Sequence, residues 1–182
     1  MKSRMQIIVL YSAIIINSGV LFVNIYNSVV DAPNWGANIP ASMEIARSYF
    51  AEKSPQDFFK MVGIVIHILG INCVIRFWKT DKQIRFLNIS ALALILITDL
   101  LTSAYFFPRN DIMFTLNGTT DIQTLTKAWR EWEIMNWVRT FITLGIVTLF
   151  CLSLNKLFSI KQKNQRRPLN EEKPVISSSL IK

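Results

Sequence analysis

Four stretches of the chain stay apolar for about the length that crosses a bilayer: Ile7 to Val30, Phe58 to Phe77, Phe86 to Phe107, and Trp137 to Phe158. A helix rises ~1.5 Å per residue, so ~20 apolar residues cover ~30 Å of hydrocarbon. Inside lipid every backbone N–H and C=O must bond within the protein, which leaves helices and closed barrels as the spanning forms. Continuous runs of this length favour helices. The expected fold is all-α, an integral membrane four-helix bundle over residues 1–158. Its helices fall at about 7–30, 58–77, 86–107 and 137–158, with short helices in the two outer loops and a basic, disordered tail at 159–182. Composition agrees: 51% hydrophobic against 18% charged residues is too apolar for a soluble domain of 182 residues. The first segment begins like a signal peptide, but its apolar stretch is too long for an h-region and no small-x-small site closes it, so it is read as a retained helix.

The net charge of +8 raises the question of nucleic acid, and its distribution answers it. Lys2 and Arg4 precede helix one. Arg76, Lys79, Lys82 and Arg85 crowd the short second loop, and Lys156, Lys161, Lys163, Arg166, Arg167, Lys173 and Lys182 follow helix four. Loops one and three are balanced by acids, among them Asp31, Glu44, Glu52, Asp57, Asp111 and Asp121. By the positive-inside bias both termini and loop two are expected in the cytoplasm, in a bacterial inner (plasma) membrane, with membrane lipids as partners and no nucleic acid. Cys73 and Cys151 have neither the spacing of a redox pair nor an exposed partner, and are read as small buried side chains.

Polar side chains inside the helices carry the functional information. In helix one, Ala13, Asn17, Val20, Asn24, Asn27 and Asp31 recur at steps of four and three, on one face that must look into the bundle. These asparagines either join helices by hydrogen bonds or, from Asn24 outward, line a polar pocket. The middle of loop one, Pro40 to Lys53, reads as a short helix with Met43, Ala46, Tyr49 and Phe50 on its apolar face. It would cap the bundle or lie on the headgroups.

Helix two sets Gly63, His67 and Gly70 on one small-residue face, where close approach of a neighbour is expected. His67 there is a proton acceptor or a neutral donor to a carbonyl or asparagine. A lone histidine cannot supply both axial ligands of a haem, and no His/Cys set has zinc spacing, so no metal or other cofactor is expected. Helix three carries Asp99, which in hydrocarbon must be protonated or paired, either with Arg139 or with Asn17 or His67. Pro108 is expected to stop that helix, with Asn110 at its mouth. Asn117-Gly marks a turn, and Asp121 to Trp132 an amphipathic helix leading into helix four. There Asn136, Arg139, Thr140, Thr143 and Val147 share a face, behind an interfacial belt of Trp129, Trp132 and Trp137. Arg139 either snorkels to the headgroups or serves a pocket, since a charge in this position is a functional candidate by default.

The segments Phe107-Pro-Arg-Asn-Asp111 and Trp132-Glu-Ile-Met-Asn-Trp-Val-Arg139 resemble the anthrone-oxygenase-like family of four-helix membrane proteins. The resemblance covers roughly Ile7 to Leu154 and is carried by Pro108, Asn110, Trp132, Asn136 and Arg139. It implies oxidation of anthrone-type aromatics by molecular oxygen without metal or flavin. Such chemistry needs a base, here His67 or an ionised Asp99, an oxyanion partner, here Arg139 with Asn136, and a dry cleft. The long first loop and basic tail depart from that family. The expected catalytic residues are His67, Asp99 and Arg139, and the expected ligand-binding residues Asn24, Asn27, Asn110, Trp132 and Asn136. The alternative is a non-enzymatic binding or accessory protein whose polar residues hold the bundle together. Four helices without an internal repeat argue against a transporter.

Overall fold

The computed structural model describes residues 2–171, and every element in it is helical. The order is α1 (Lys2–Tyr26), a π turn (Asn27–Asp31), α2 (Ala32–Gly36), α3 (Ala41–Tyr49), α4 (Pro55–Phe77), α5 (Lys82–Leu101), a second π turn (Thr102–Phe106), α6 (Phe107–Phe114) and α7 (Ile122–Glu171). Among the described residues four helical stretches are long and apolar enough to cross a membrane: Arg4–Gly36, Pro55–Phe77, Lys82–Phe114 and Ile122–Asn164.

Local chemistry starts the helices where they start. Ser54 and Asp57 form a reciprocal capping box ahead of α4, with Pro55 in its first turn, where a missing N–H costs nothing. Asp81 accepts from the N–H groups of Gln83 and Ile84 to open α5, and Asp121 accepts from the Thr124 N–H to open α7.

Two expected boundaries are corrected. Pro108 does not stop the third span, and the first does not end at Val30 but runs through Pro33 to Gly36. Each proline follows a π turn, in which Ala32 N–H bonds Asn27 O and Phe107 N–H bonds Thr102 O. The wide turn resets the helical register, so the proline falls in the first turn of a new helix. The fourth span likewise begins well before Trp137, because Ile122 to Trp137 is continuous helix. At its far end α7 continues past Phe158 to Glu171, with Leu157 and Ile160 packed on the bundle. The remainder of the expected disordered tail, 172–182, lies outside the described residues.

In the bundle, α7 packs against α1 and α5, and α4 packs against the same two, so α4 and α7 stand diagonally across from each other. The start of α1 and the far end of α7 lie at one end of the bundle, here the terminal end; α2, α3 and α6 close the other, the loop end. An apolar core fills the terminal half, built on Leu10, Cys73, Phe77, Ile95, Ile146 and Phe150. A second, aromatic core lies under the loop end, where Trp35 meets Phe114 at 4.8 Å and Trp132 at 5.1 Å between ring centroids. Between the two is a polar layer.

The loop-end cap is clamped by Arg47, a residue absent from the expected apolar face of α3. It is almost wholly buried and donates to Met113 O, Ile112 O and Thr119 O, with Glu44 as its ion-pair partner at 2.6 Å. These carbonyls include the unpaired last acceptors of α6, which a buried guanidinium satisfies. Tyr49, expected on that face, is instead 81% exposed. Cys151 also departs from expectation, being exposed on the surface of α7 while Cys73 is buried. Asn117 adopts φ 55° at the expected turn, a left-handed conformation that asparagine tolerates.

Candidate functional site

The polar layer is assembled from α1, the π turn that follows it and α7, whose inward faces carry Asn17, Asn24, Asn27, Ser28, Asn136, Arg139, Thr140 and Thr143, all buried. Their spacing puts them there, and their hydrogen bonds fix them. Asn136 donates to Ser28 Oγ at 2.6 Å and to Asn24 O at 2.9 Å, and its Oδ1 accepts from Arg139 Nη2. Thr143 bonds Arg139 O, and Asn24 Nδ2 bonds Thr143 Oγ1. Asn136 thus ties Arg139 to α1.

Arg139 is 5% exposed, and among the described residues no carboxylate lies within ion-pair distance of it. Its guanidinium carbon sits 4.1 Å from the Phe106 ring centroid, 4.8 Å from Phe59 and 5.9 Å from Trp132. A desolvated cation over ring faces gains about 2 kcal/mol or more, which offsets part of the cost of its burial. Its Nε and the neighbouring Asn24 Oδ1 have no hydrogen-bond partner.

Asp99 does not pair with Arg139. It meets His67, whose Nε2 is 2.6 Å from Asp99 Oδ2, while His67 Nδ1 is 2.7 Å from Gly63 O. A carbonyl only accepts, so Nδ1 carries a proton. The remaining proton then lies either on Nε2, giving imidazolium and carboxylate, or on Asp99, giving two neutral groups. The pair is neutral overall in both arrangements. Its side chains are 33% and 49% exposed toward the space between α4 and α5.

That space is a cleft of about 630 Å³ whose wall includes His67, Asp99, Asn24 and Arg139 together. Its shape comes from α4. At Gly70 the helices are close, and an added Cβ would touch Leu92 and Ile95 at 3.2 Å. At Gly63, two turns toward the loop end, an added Cβ would meet nothing within 4 Å. The expected close approach therefore holds at Gly70 and fails at Gly63, where α4 leaves a gap. Thr102 and Ser103, at the second π turn, form part of the opposite wall.

A smaller pocket of about 150 Å³ adjoins it on the loop side and shares Gln56, Phe59, Thr102, Phe107 and Arg139 with it. Asn110 and Trp132 line this second pocket, joined by a 2.9 Å bond from Trp132 Nε1 to Asn110 Oδ1. Asn136 lies behind Arg139 and lines neither space. Asn27 is apart from both and, with its amide oriented to suit its neighbours, donates to Asp31 and Val23 O. Phe59, Lys60 and Gln56 also line the cleft, and nothing in their spacing singles them out in the sequence. Among the described residues no group of three His, Cys, Asp or Glu side chains is placed to hold a metal ion.

The chain matches no protein-family model, no curated protein and no solved structure.

Proposed function

We propose that this multi-pass membrane protein takes a lipid-soluble small molecule into the cleft and there moves a proton with the His67–Asp99 pair, while Arg139 holds a developing oxyanion. The observation that carries this reading is that His67, Asp99 and Arg139 share one cavity. Residues that served only as glue would close on one another with no space between them. Both ring nitrogens of His67 are engaged, whereas Asp99 Oδ1 has no hydrogen-bond partner among the described residues, so the free carboxylate oxygen is the proton acceptor and His67 its stabilising neighbour. Arg139 is held in place by Asn136 and needs no rearrangement to meet negative charge.

The resemblance at Pro108, Asn110, Trp132, Asn136 and Arg139 supports the finer reading, a cofactor-independent oxygenase of anthrone-like aromatics. In that reaction Asp99 removes a proton from the ring methylene and the carbanion reduces molecular oxygen as a C–O bond forms. The resulting hydroperoxide loses water to leave a ketone. In this reading the termini face the cytoplasm of a bacterium and the loop end faces outward, following the basic residues at the terminal end.

A second reading, a non-enzymatic binding or accessory protein, draws support from the side chains that do close on themselves. Asn17 bonds Ala13 O, and Asn88 bonds Ile84 O and Ser153. Native mass spectrometry of wild type, Arg139→Ala and Asn136→Ala in mild detergent separates a ligand site from polar residues that only hold the bundle together. A specific small molecule carried by wild type and lost from both variants supports the site. Bulk lipid alone on wild type, with variants that are merely less stable, supports the structural reading.

A further inference from the structure

The cleft has a charged end, an apolar length and an opening, and together these select a ligand class. At the charged end the Arg139 guanidinium is buried with two of its nitrogens, Nε and Nη1, making no hydrogen bond among the described residues. Lys60 lines the same cleft, and the His67–Asp99 pair contributes no net charge, so the cavity is positive overall. Asp111, the other carboxylate among the described residues that line the two spaces, is exposed at the smaller pocket. An isolated buried cation of this kind is stabilised by an anion from outside the chain. The rings of Phe59, Phe106 and Trp132 stand around the guanidinium, their centroids 4.8, 4.1 and 5.9 Å from its carbon. Away from Arg139 the lining is aliphatic, from Val62, Ile66 and Ile71 among others, and the gap at Gly63 leads toward the α4–α5 surface.

We infer that the cleft binds a single-headed acidic amphiphile, with its carboxylate or phenolate oxygen on Arg139 and its apolar body passing Gly63 into the lipid. This rests on the small-molecule reading above and narrows it to anions. Gly63 is then the residue that sets access: a Cβ there meets nothing within 4 Å, so a longer side chain grows into the ligand's path.

The test uses the full chain in phosphatidylcholine nanodiscs and two fluorescent acids, each beside its neutral twin. These are cis-parinaric acid with its methyl ester, and 1-hydroxypyrene with its methyl ether, read by energy transfer from the tryptophans. In at least one pair the acid saturates and binds about ten- to a hundredfold tighter than its twin, the worth of a charge-assisted hydrogen bond. Which pair does so separates a fatty-acid-like from a phenolic ligand. Gly63→Leu abolishes saturable binding with an unchanged melting temperature, Arg139→Gln levels acid and twin, and Arg139→Lys keeps the preference. Neutral twins that bind as tightly as the acids, acids that never saturate, or a Gly63→Leu protein that binds like wild type would each overturn the inference. If wild type carries a neutral molecule in native mass spectrometry while both acids fail, the small-molecule reading stands and the anion does not.

Discussion

His67 on α4 and Asp99 on α5 meet at 2.6 Å across the groove between their helices, half-open to the cavity rather than sealed in the core. A purely structural pair gains most from full burial with every lone pair satisfied. This one leaves an oxygen free beside a cleft of about 630 Å³.

Asp99→Asn preserves the shape of that pair and removes its basicity. Under the oxygenase reading proposed above, oxygen uptake with an anthrone-type substrate falls by about 10²- to 10⁴-fold, the usual contribution of a general base. The melting temperature should stay close to that of wild type, because the carboxylate is half exposed. Equal turnover by the variant would remove Asp99 from the reaction.

Arg47 is predicted to matter for stability and not for chemistry. Arg47→Ala leaves the carbonyls of Ile112, Met113 and Thr119 without their donor under a buried cap, at a cost of about 3 kcal/mol or more. Protease cleavage should then concentrate in 112–121 at temperatures where wild type resists. An unchanged cleavage pattern would mean that the aromatic core alone holds the cap.

At Gly36 a side chain has no room, since a Cβ would overlap the Trp129 indole, whose Nε1 bonds Ala32 O at 2.7 Å. Gly36→Ala is expected to lower stability by about 1–3 kcal/mol in a thermal melt, through overpacking. The contrast with Gly63, where leucine is expected to be accommodated, makes the two glycines controls for each other.

The start of α7 gives a pH signature. Hydrogen bonds from Thr124 hold the Asp121 carboxyl below the ordinary aspartate value. A folded pKa below the unfolded one means that this cap's contribution is complete above the unfolded value, near ~4, and is lost as pH falls through the folded value. The difference in melting temperature between wild type and Asp121→Ala should therefore be flat at neutral pH and shrink progressively as pH falls below the unfolded value. A difference that stays constant through the acid range would show that the carboxylate charge plays no part.

The spans and the buried polar faces were legible in the sequence because each depends on short-range regularities. Hydrocarbon admits helices of a set length, and a period of three to four residues puts Asn17, Asn24 and Asn27, or Asn136, Arg139 and Thr143, on one side whatever the neighbours are. The junction residues were less legible. Pro33 and Pro108 are helix breakers by local rules, yet a π turn before each lets the helix restart, the first turn packed on α7 and the second meeting α7 through the Phe106 ring on Trp132 and the Tyr105 hydroxyl on Glu131 O. Pairing was not legible at all: Asp99 lay within reach of Arg139 or of His67 on residue counting, and only the relative rotation of α4, α5 and α7 decided for His67. Gly63 and Gly70 are identical in sequence terms, both on the small face of one helix. What separates them is what stands opposite each, the Leu92 and Ile95 side chains at Gly70 and open space at Gly63, and those surroundings belong to the whole bundle rather than to any stretch of the chain.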